Sequence, residues 1–89
     1  MKNFTSELAG FIAEIQFDDL PWAAVHEAKR ILLDSIGCAL PGKGVDKGRI
    51  PLELAKKLGG PPESSIIGSP DKVSCSNSAF ANGELINAL

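Results

Sequence analysis

Residues 21–42 read as one long helix, and that stretch constrains the fold of this chain more than any other. Val25, Ala28, Ile31, Leu32, Ser35, Ile36 and Ala39 follow the i, i+3, i+4, i+7 spacing of a helix with one buried face. Leu33 and Leu40 widen the stripe, so the spacing predicts cover on more than one side. Pro21 suits the first helical position, where its missing N–H costs nothing and its fixed φ already fits. Leu20 before it is pushed out of the α region, which sharpens the boundary. Asp18 and Asp19 then stand at the positive end of the helix dipole. Pro41 and Gly42 are expected to stop the helix, with Gly42 and Gly44 serving the turn. At about 1.5 Å per residue the helix is roughly 30 Å long, the diameter of a small domain. The pattern describes a helical building block and names no chemistry.

With 89 residues the chain is short, below the usual domain size of about 100–150. A chain of this size buries only around 60–65% of the surface its unfolded form exposes. Net charge is −2 and the basic residues are scattered, which excludes the clustered basic patch of a nucleic-acid surface. No apolar run approaches the roughly eighteen residues a membrane span needs. The N-terminal residues 1–7 hold one basic residue and an early acid, so they do not read as a signal peptide. Cys38 and Cys75 make neither a disulfide framework nor a metal spacing, and are expected as reduced thiols of a cytoplasmic protein.

Residues 5–16 form the first helix, with Leu8, Phe11, Ile12 and Ile15 on one face. Asn3 and Thr5 both suit its N-cap, and Glu7 suits its first turn. Gly10 costs about 1 kcal/mol relative to Ala inside a helix, which predicts a neighbouring helix crossing close to it. The five-residue connection that follows suits an antiparallel pair with the long helix. Residues 43–48 are polar and glycine-rich, hence a loop. A third helix begins near residues 49–51 and runs to Leu58, with Pro51 in its first turn and Leu52, Leu54, Ala55 and Leu58 apolar. Lys56 and Lys57 complement its C-terminal dipole, and Gly59 and Gly60 end it. Residues 64–68 read as one short extended segment, and residues 69–72 as a turn. A last helix starts around residues 74–76, capped by Ser74, Ser76 or Asn77, and continues to the chain end. The class is therefore all-α: four helices with one short extended segment. The absence of a stop signal after Ile86 leads us to expect a fragment.

Few residues carry chemistry. His26 is the sole histidine, and its sequence neighbour Glu27 does not face it on a helix, so it reads as a solvated surface group. Asp34 interrupts an apolar run with Arg30 one turn earlier, which favours a structural ion pair or a backbone-capping role over catalysis. The serines form no Gly-x-Ser-x-Gly elbow, and Gly59 and Gly60 lack the Lys-Ser/Thr of a phosphate loop. Asn77, Asn82 and Asn87 recur every five residues, about 500° of rotation, and so drift around the helix. A carboxamide can hold a carboxylate through its N–H groups, which makes Asn82 and Asn87 candidate ligand contacts beside their capping and surface roles.

Leu8 to Ile15, Phe17 to Pro21, Ala28 with Lys29, Leu32 to Leu40, Leu58 to Gly68, Val73, and Asn77 to Gly83 together resemble the start of the MmgE/PrpD family. That family includes 2-methylcitrate dehydratases, cis-aconitate decarboxylases and iminodisuccinate epimerases. No single piece is diagnostic, but their order and spacing together are quite specific. The resemblance covers nearly the whole chain and implies that residues 1–89 are the N-terminal part of a large all-helical domain. A second, α+β domain covers it, with the active site in the cleft between them. It implies a small di- or tricarboxylate substrate, proton abstraction beside a carboxylate, a homodimer, and no metal or organic cofactor. Charge and the lack of a long apolar run leave neither a nucleic-acid nor a membrane partner expected. The family's acidic motif with its nearby histidine follows the segment equivalent to residues 86–89, so no catalytic residue is carried onto this chain. Asn82 and Asn87 remain as substrate-binding candidates, although the family pattern commonly has histidine at the position of Asn87. Two readings follow: the N-terminal piece of a lyase or isomerase, or a truncated, inactive helical remnant or interaction module. Either way, the chain on its own is expected to expose apolar surface.

Overall fold

The computed structural model describes residues 3–89, and the reading of Met1 and Lys2 lies outside the described residues. Helix α1 spans Phe4–Glu14 and is capped by Asn3, whose Oδ1 accepts the Ser6 N–H at 3.1 Å. It stops two residues short of the expected end, because Ile15 is extended (ψ 135°) while its N–H still donates to the Phe11 carbonyl. A 3-10 turn at Phe17–Asp19 follows, closed by the Gln16 N–H donating to Asp19 Oδ2 at 2.9 Å. Leu20 is extended, as a residue before proline must be.

Helix α2 runs Trp22–Gly42. Pro21 is its cap and not its first residue: ψ is 145°, and its carbonyl accepts the N–H groups of Ala24 and Val25. Pro41, expected to break the helix, lies inside its last turn. There the ring forfeits a single bond, to the Gly37 carbonyl, and the Pro41 carbonyl accepts from Gly44 to close the turn.

Helix α3 spans Asp46–Leu58, so the loop shrinks to residues 43–45 and Pro51 falls in the second turn. The reason is tertiary. A Cβ on Gly42 would lie 2.3 Å from the Leu85 carbonyl oxygen, and one on Gly48 2.1 Å from the Gly42 oxygen. Both glycines are helical and buried where backbones cross, rather than being turn residues. The helix ends as expected at Gly59, whose φ of +62° suits a residue without a side chain.

The extended segment pairs. Strand β1 (Ser64–Ser65) runs antiparallel to β2 (Lys72–Val73), with Ser64 opposite Val73. The second strand begins at Lys72, which the turn reading had absorbed. Helix α4 spans Cys75–Ile86, with Ser74 Oγ accepting the Asn77 N–H at 3.3 Å. It ends at Asn87 and does not reach Leu89.

One small core holds these pieces: Ala39 from α2, Ala55 from α3, Ile66 and Val73 from the hairpin, Ala81 and Leu85 from α4. The rest of the molecule is open. Helix α1 packs against no other element among the described residues, so the expected antiparallel pair with α2 does not form. No residue of α1 is buried, and the apolar positions of α2 before Ala39 stay exposed or half-buried. The radius of gyration is 17.0 Å, against the ~12 Å of a compact chain of this length. Accessible surface is 6597 Å², where a folded monomer of this mass shows roughly 5,000 Å².

Candidate functional site

Helix α4 is the element around which the polar groups converge. Its inward face carries Ser78, Ala81 and Leu85, all buried and two of them small, so it sits close to α3 and the hairpin. Asn77 Nδ2 donates to the Gly59 carbonyl at 3.2 Å, and the Cys75 N–H donates to Glu63 Oε1. That places a carboxylate at the positive end of the α4 dipole.

Asn82, the first substrate-binding candidate, is half-buried against the hairpin. Its Oδ1 accepts the Ile67 N–H at 2.8 Å, while its Nδ2 donates to the Ser65 carbonyl and to Ser78 Oγ. Ser78 Oγ in turn donates to the same Ser65 carbonyl. Both N–H hydrogens of the carboxamide are thus occupied. Asn87, the second candidate, is exposed at the C-terminus of α4, where its Nδ2 donates to the Gly83 carbonyl at 2.9 Å. Its second N–H hydrogen makes no bond among the described residues. The two asparagines do not converge, because five residues of helix set them about 140° apart.

Two clefts open at the joint between α1 and α2. One, of about 590 Å³, is lined by Phe11, Glu14, Ile15, Asp19, Leu20 and Pro21. The other, of about 380 Å³, includes Phe17, Leu20, Trp22, Val25, His26 and Lys29. His26 is on the surface, as expected, but its ring stacks on Trp22 with centroids 5.0 Å apart. The i, i+4 spacing of Trp22 and His26 was the signal for that contact. Asp34 makes the expected pair with Arg30 Nη1 at 2.9 Å, and Glu27 joins from the other side. The Arg30 guanidinium, by hydrogen bonding, holds the Glu27 carboxyl below its ordinary value. Across the core, Lys56 pairs with Asp71 at 3.1 Å. That bond, with the Ser69 hydroxyl, lowers the Asp71 pKa.

Cys38 and Cys75 are free and exposed. Among the described residues no three His, Cys, Asp or Glu side chains are grouped to hold a metal ion. No helix is long and apolar enough to cross a membrane, again among the described residues.

The chain belongs to the MmgE/PrpD family: the family's N-terminal domain matches residues 6–89. It is 32% identical over 90 residues to a cis-aconitate decarboxylase-like protein of Aspergillus oryzae, covering 98% of this chain and 18% of that protein. It is 26% identical over 90 residues to the cis-aconitate decarboxylase of Mus musculus, covering 100% of this chain and 18% of the relative. The chain therefore spans less than a fifth of the length of either curated relative. No solved structure gives a significant match.

Proposed function

We propose that this chain supplies the N-terminal helical part of a lyase acting on a small di- or tricarboxylate, with the reacting groups contributed from outside these 89 residues. The family match over residues 6–89 carries this reading. Both relatives are named for cis-aconitate decarboxylation, which favours loss of CO2 as the reaction. Loss of water from a substrate of the 2-methylcitrate type is the second to assay. Such chemistry needs a proton donor or acceptor beside a carboxylate and cationic groups that hold the charge. Within the chain, the geometry divides the two asparagines. Asn82 is taken up by the hairpin, so it acts by fixing the loop; Asn87 keeps an N–H available and is the one able to meet a carboxylate. The whole enzyme, in this reading, is a cytoplasmic homodimer that uses no metal or organic cofactor.

The test is to put the 89 residues into the Aspergillus oryzae relative in place of its matched 90 and assay cis-aconitate and 2-methylcitrate. The expected outcome is activity of the chimera on one of them and none from the 89-residue chain alone. A folded chimera inactive on both, beside an active parent, overturns the reading. In an active chimera, Asn87→Ala is expected to raise KM several-fold and to leave folding unchanged.

A further inference from the structure

We propose that residues 66–71, the tip joining β1 to β2, form a clasp held shut by the charges of Lys43 and Lys56, and that acylation of either ε-amine opens it. The hairpin cannot hold itself: a two-stranded ribbon is marginal in water, and these strands have two residues each. Helices hold it instead, in two chemically different ways. At its base the ties are neutral and half-buried. Asn82 accepts the Ile67 N–H at 2.8 Å, and Ser78 Oγ donates to the Ser65 carbonyl. At its tip the ties are cationic and exposed. Lys43, at the end of α2, donates from Nζ to the Gly68 carbonyl at 2.8 Å, and Lys56 of α3 pairs with Asp71 at 3.1 Å.

The tip is shaped to meet both lysines. Gly68 has φ +77°, which suits a residue without a side chain, and its carbonyl receives a lysine 25 residues away in the chain. Ser69 Oγ donates to Asp71 Oδ2 at 3.0 Å and accepts the Asp71 N–H, which fixes the carboxylate that Lys56 meets. Among the described residues, Lys29, Lys47, Lys57 and Lys72 make no hydrogen bond or ion pair. The two lysines that do are both given to this one tip. An exposed charge tie of this kind shifts an equilibrium by up to about fivefold, small enough for one modification to reverse. With an acyl thioester as donor, the deprotonated ε-amine attacks the carbonyl carbon. The C–N bond forms, the C–S bond breaks, and the thiolate leaves as the nitrogen gives up a proton. The product is a neutral amide with a single N–H. At Lys56 it removes the charge that Asp71 meets, and at Lys43 it also adds bulk at the atom bonded to Gly68. An open tip unties the hairpin from the end of α2 and from α3 while the neutral base stays closed.

The test is amide hydrogen exchange, read by NMR on the 89-residue chain. The Ser69 N–H, which donates to the Ile66 carbonyl at 3.1 Å, and the Asp71 N–H report on the tip, and the Ile67 N–H reports on the base. Nε-acetyllysine installed at position 43 or at position 56 is expected to speed exchange at Ser69 and Asp71 about two- to fivefold, and at both positions together by more. Ile67 exchange is expected to stay unchanged. Lys43→Met and Lys56→Met should reproduce the effect, whereas Lys43→Arg and Lys56→Arg, which keep charge and donors, should keep exchange slow. Raising NaCl to about 0.5 M should speed the tip of the parent chain and not that of the doubly acetylated one. Unchanged tip exchange in both acetylated chains overturns the clasp. So does Ile67 exchange that rises in step with the tip, because the hairpin then opens as one piece and the lysines only add to its stability. No turnover is read, so the outcome is independent of the reaction proposed above.

Discussion

Helical glycines in this chain differ by what a methyl group would meet. At Gly42 and Gly48 an added Cβ runs into backbone oxygen at 2.3 and 2.1 Å, and a backbone cannot swing aside as a side-chain tip can. At Gly10 and Gly83 it meets nothing within 4 Å. Gly83→Ala is therefore expected to stabilise the chain by about 0.5–1 kcal/mol through helix propensity alone, and Gly10→Ala to raise the helicity of α1 itself, since α1 packs against no other element among the described residues. Gly42→Ala and Gly48→Ala are expected to cost more than ~2 kcal/mol by overpacking. Urea unfolding followed by circular dichroism separates Gly83 from Gly42 and Gly48 by sign. Equal effects at these three positions would contradict the close crossing of α2, α3 and α4. Asn82 carries a similar lesson. Asn82→Ala leaves the Ile67 N–H unpaired in a half-buried site, a loss expected at about 1–3 kcal/mol. Asn82→Asp keeps that acceptor and removes the donors to Ser65 and Ser78. Loss of protection at the Ile67 amide in hydrogen exchange should follow the first substitution and not the second.

Helix α2 shows how an element can be legible while its surroundings are not. Its apolar rows and the Arg30–Asp34 pair lie within a turn or two of one another, so residue spacing alone specifies them. Its upstream half gains little from tertiary packing, and local terms decide whether it stays helical. The Glu27 pKa is lowered in the folded chain, so its contribution is present above the ordinary value of 4.5 and is lost as pH falls through the lowered one. Helical ellipticity should accordingly fall as pH drops below about 4.5. Arg30→Ala should begin with less helix at pH 7 and show a flatter acid profile, and added salt should narrow the gap between the two. An unchanged profile in Arg30→Ala would remove the ion pair from the account of α2. The hairpin is the opposite case. Strands of two residues have almost no local signal, and Lys72 and Val73 become a strand only because Ser64 and Ser65 stand opposite.

The molecule as a whole is a small closed core with a long open arm. Core residues come from the last turn of α2 onward, and α1 contributes none. Amide exchange should then be slowest around Ala81 and Leu85 and near the unprotected limit in α1, with the upstream half of α2 close behind. Unfolding of the isolated chain should be broad, and the chain should associate at micromolar concentration. Leu33, 71% exposed, can be changed to Asp with less than ~0.5 kcal/mol effect on the core while sedimentation shifts toward monomer. A sharp two-state melt of a monomer, with α1 as protected as α4, is the result this description cannot accommodate.

The existence of four helices, the Gly59 stop and the Arg30–Asp34 pair were readable in residue order, and Asn3 and Ser74 stood among the candidate caps, because each depends on partners within a turn or so along the chain. So was the family, whose segments keep their order over residues 6–89. Other features needed the third dimension. Glycine looks the same in a sequence whether it supplies a turn or admits a second backbone, so Gly42 and Gly48 read as loop and proved to be crossings. Pro51 read as a helix start for the same reason, since its true place depended on where Gly48 had to sit. The bonds of Asn82 reach back 15 and 17 residues, to Ile67 and Ser65, where no spacing rule operates. An apolar face is specified by local periodicity, but which surface covers it is a long-range matter. In α1 and the upstream half of α2 that periodicity is complete, and nothing among the described residues covers it.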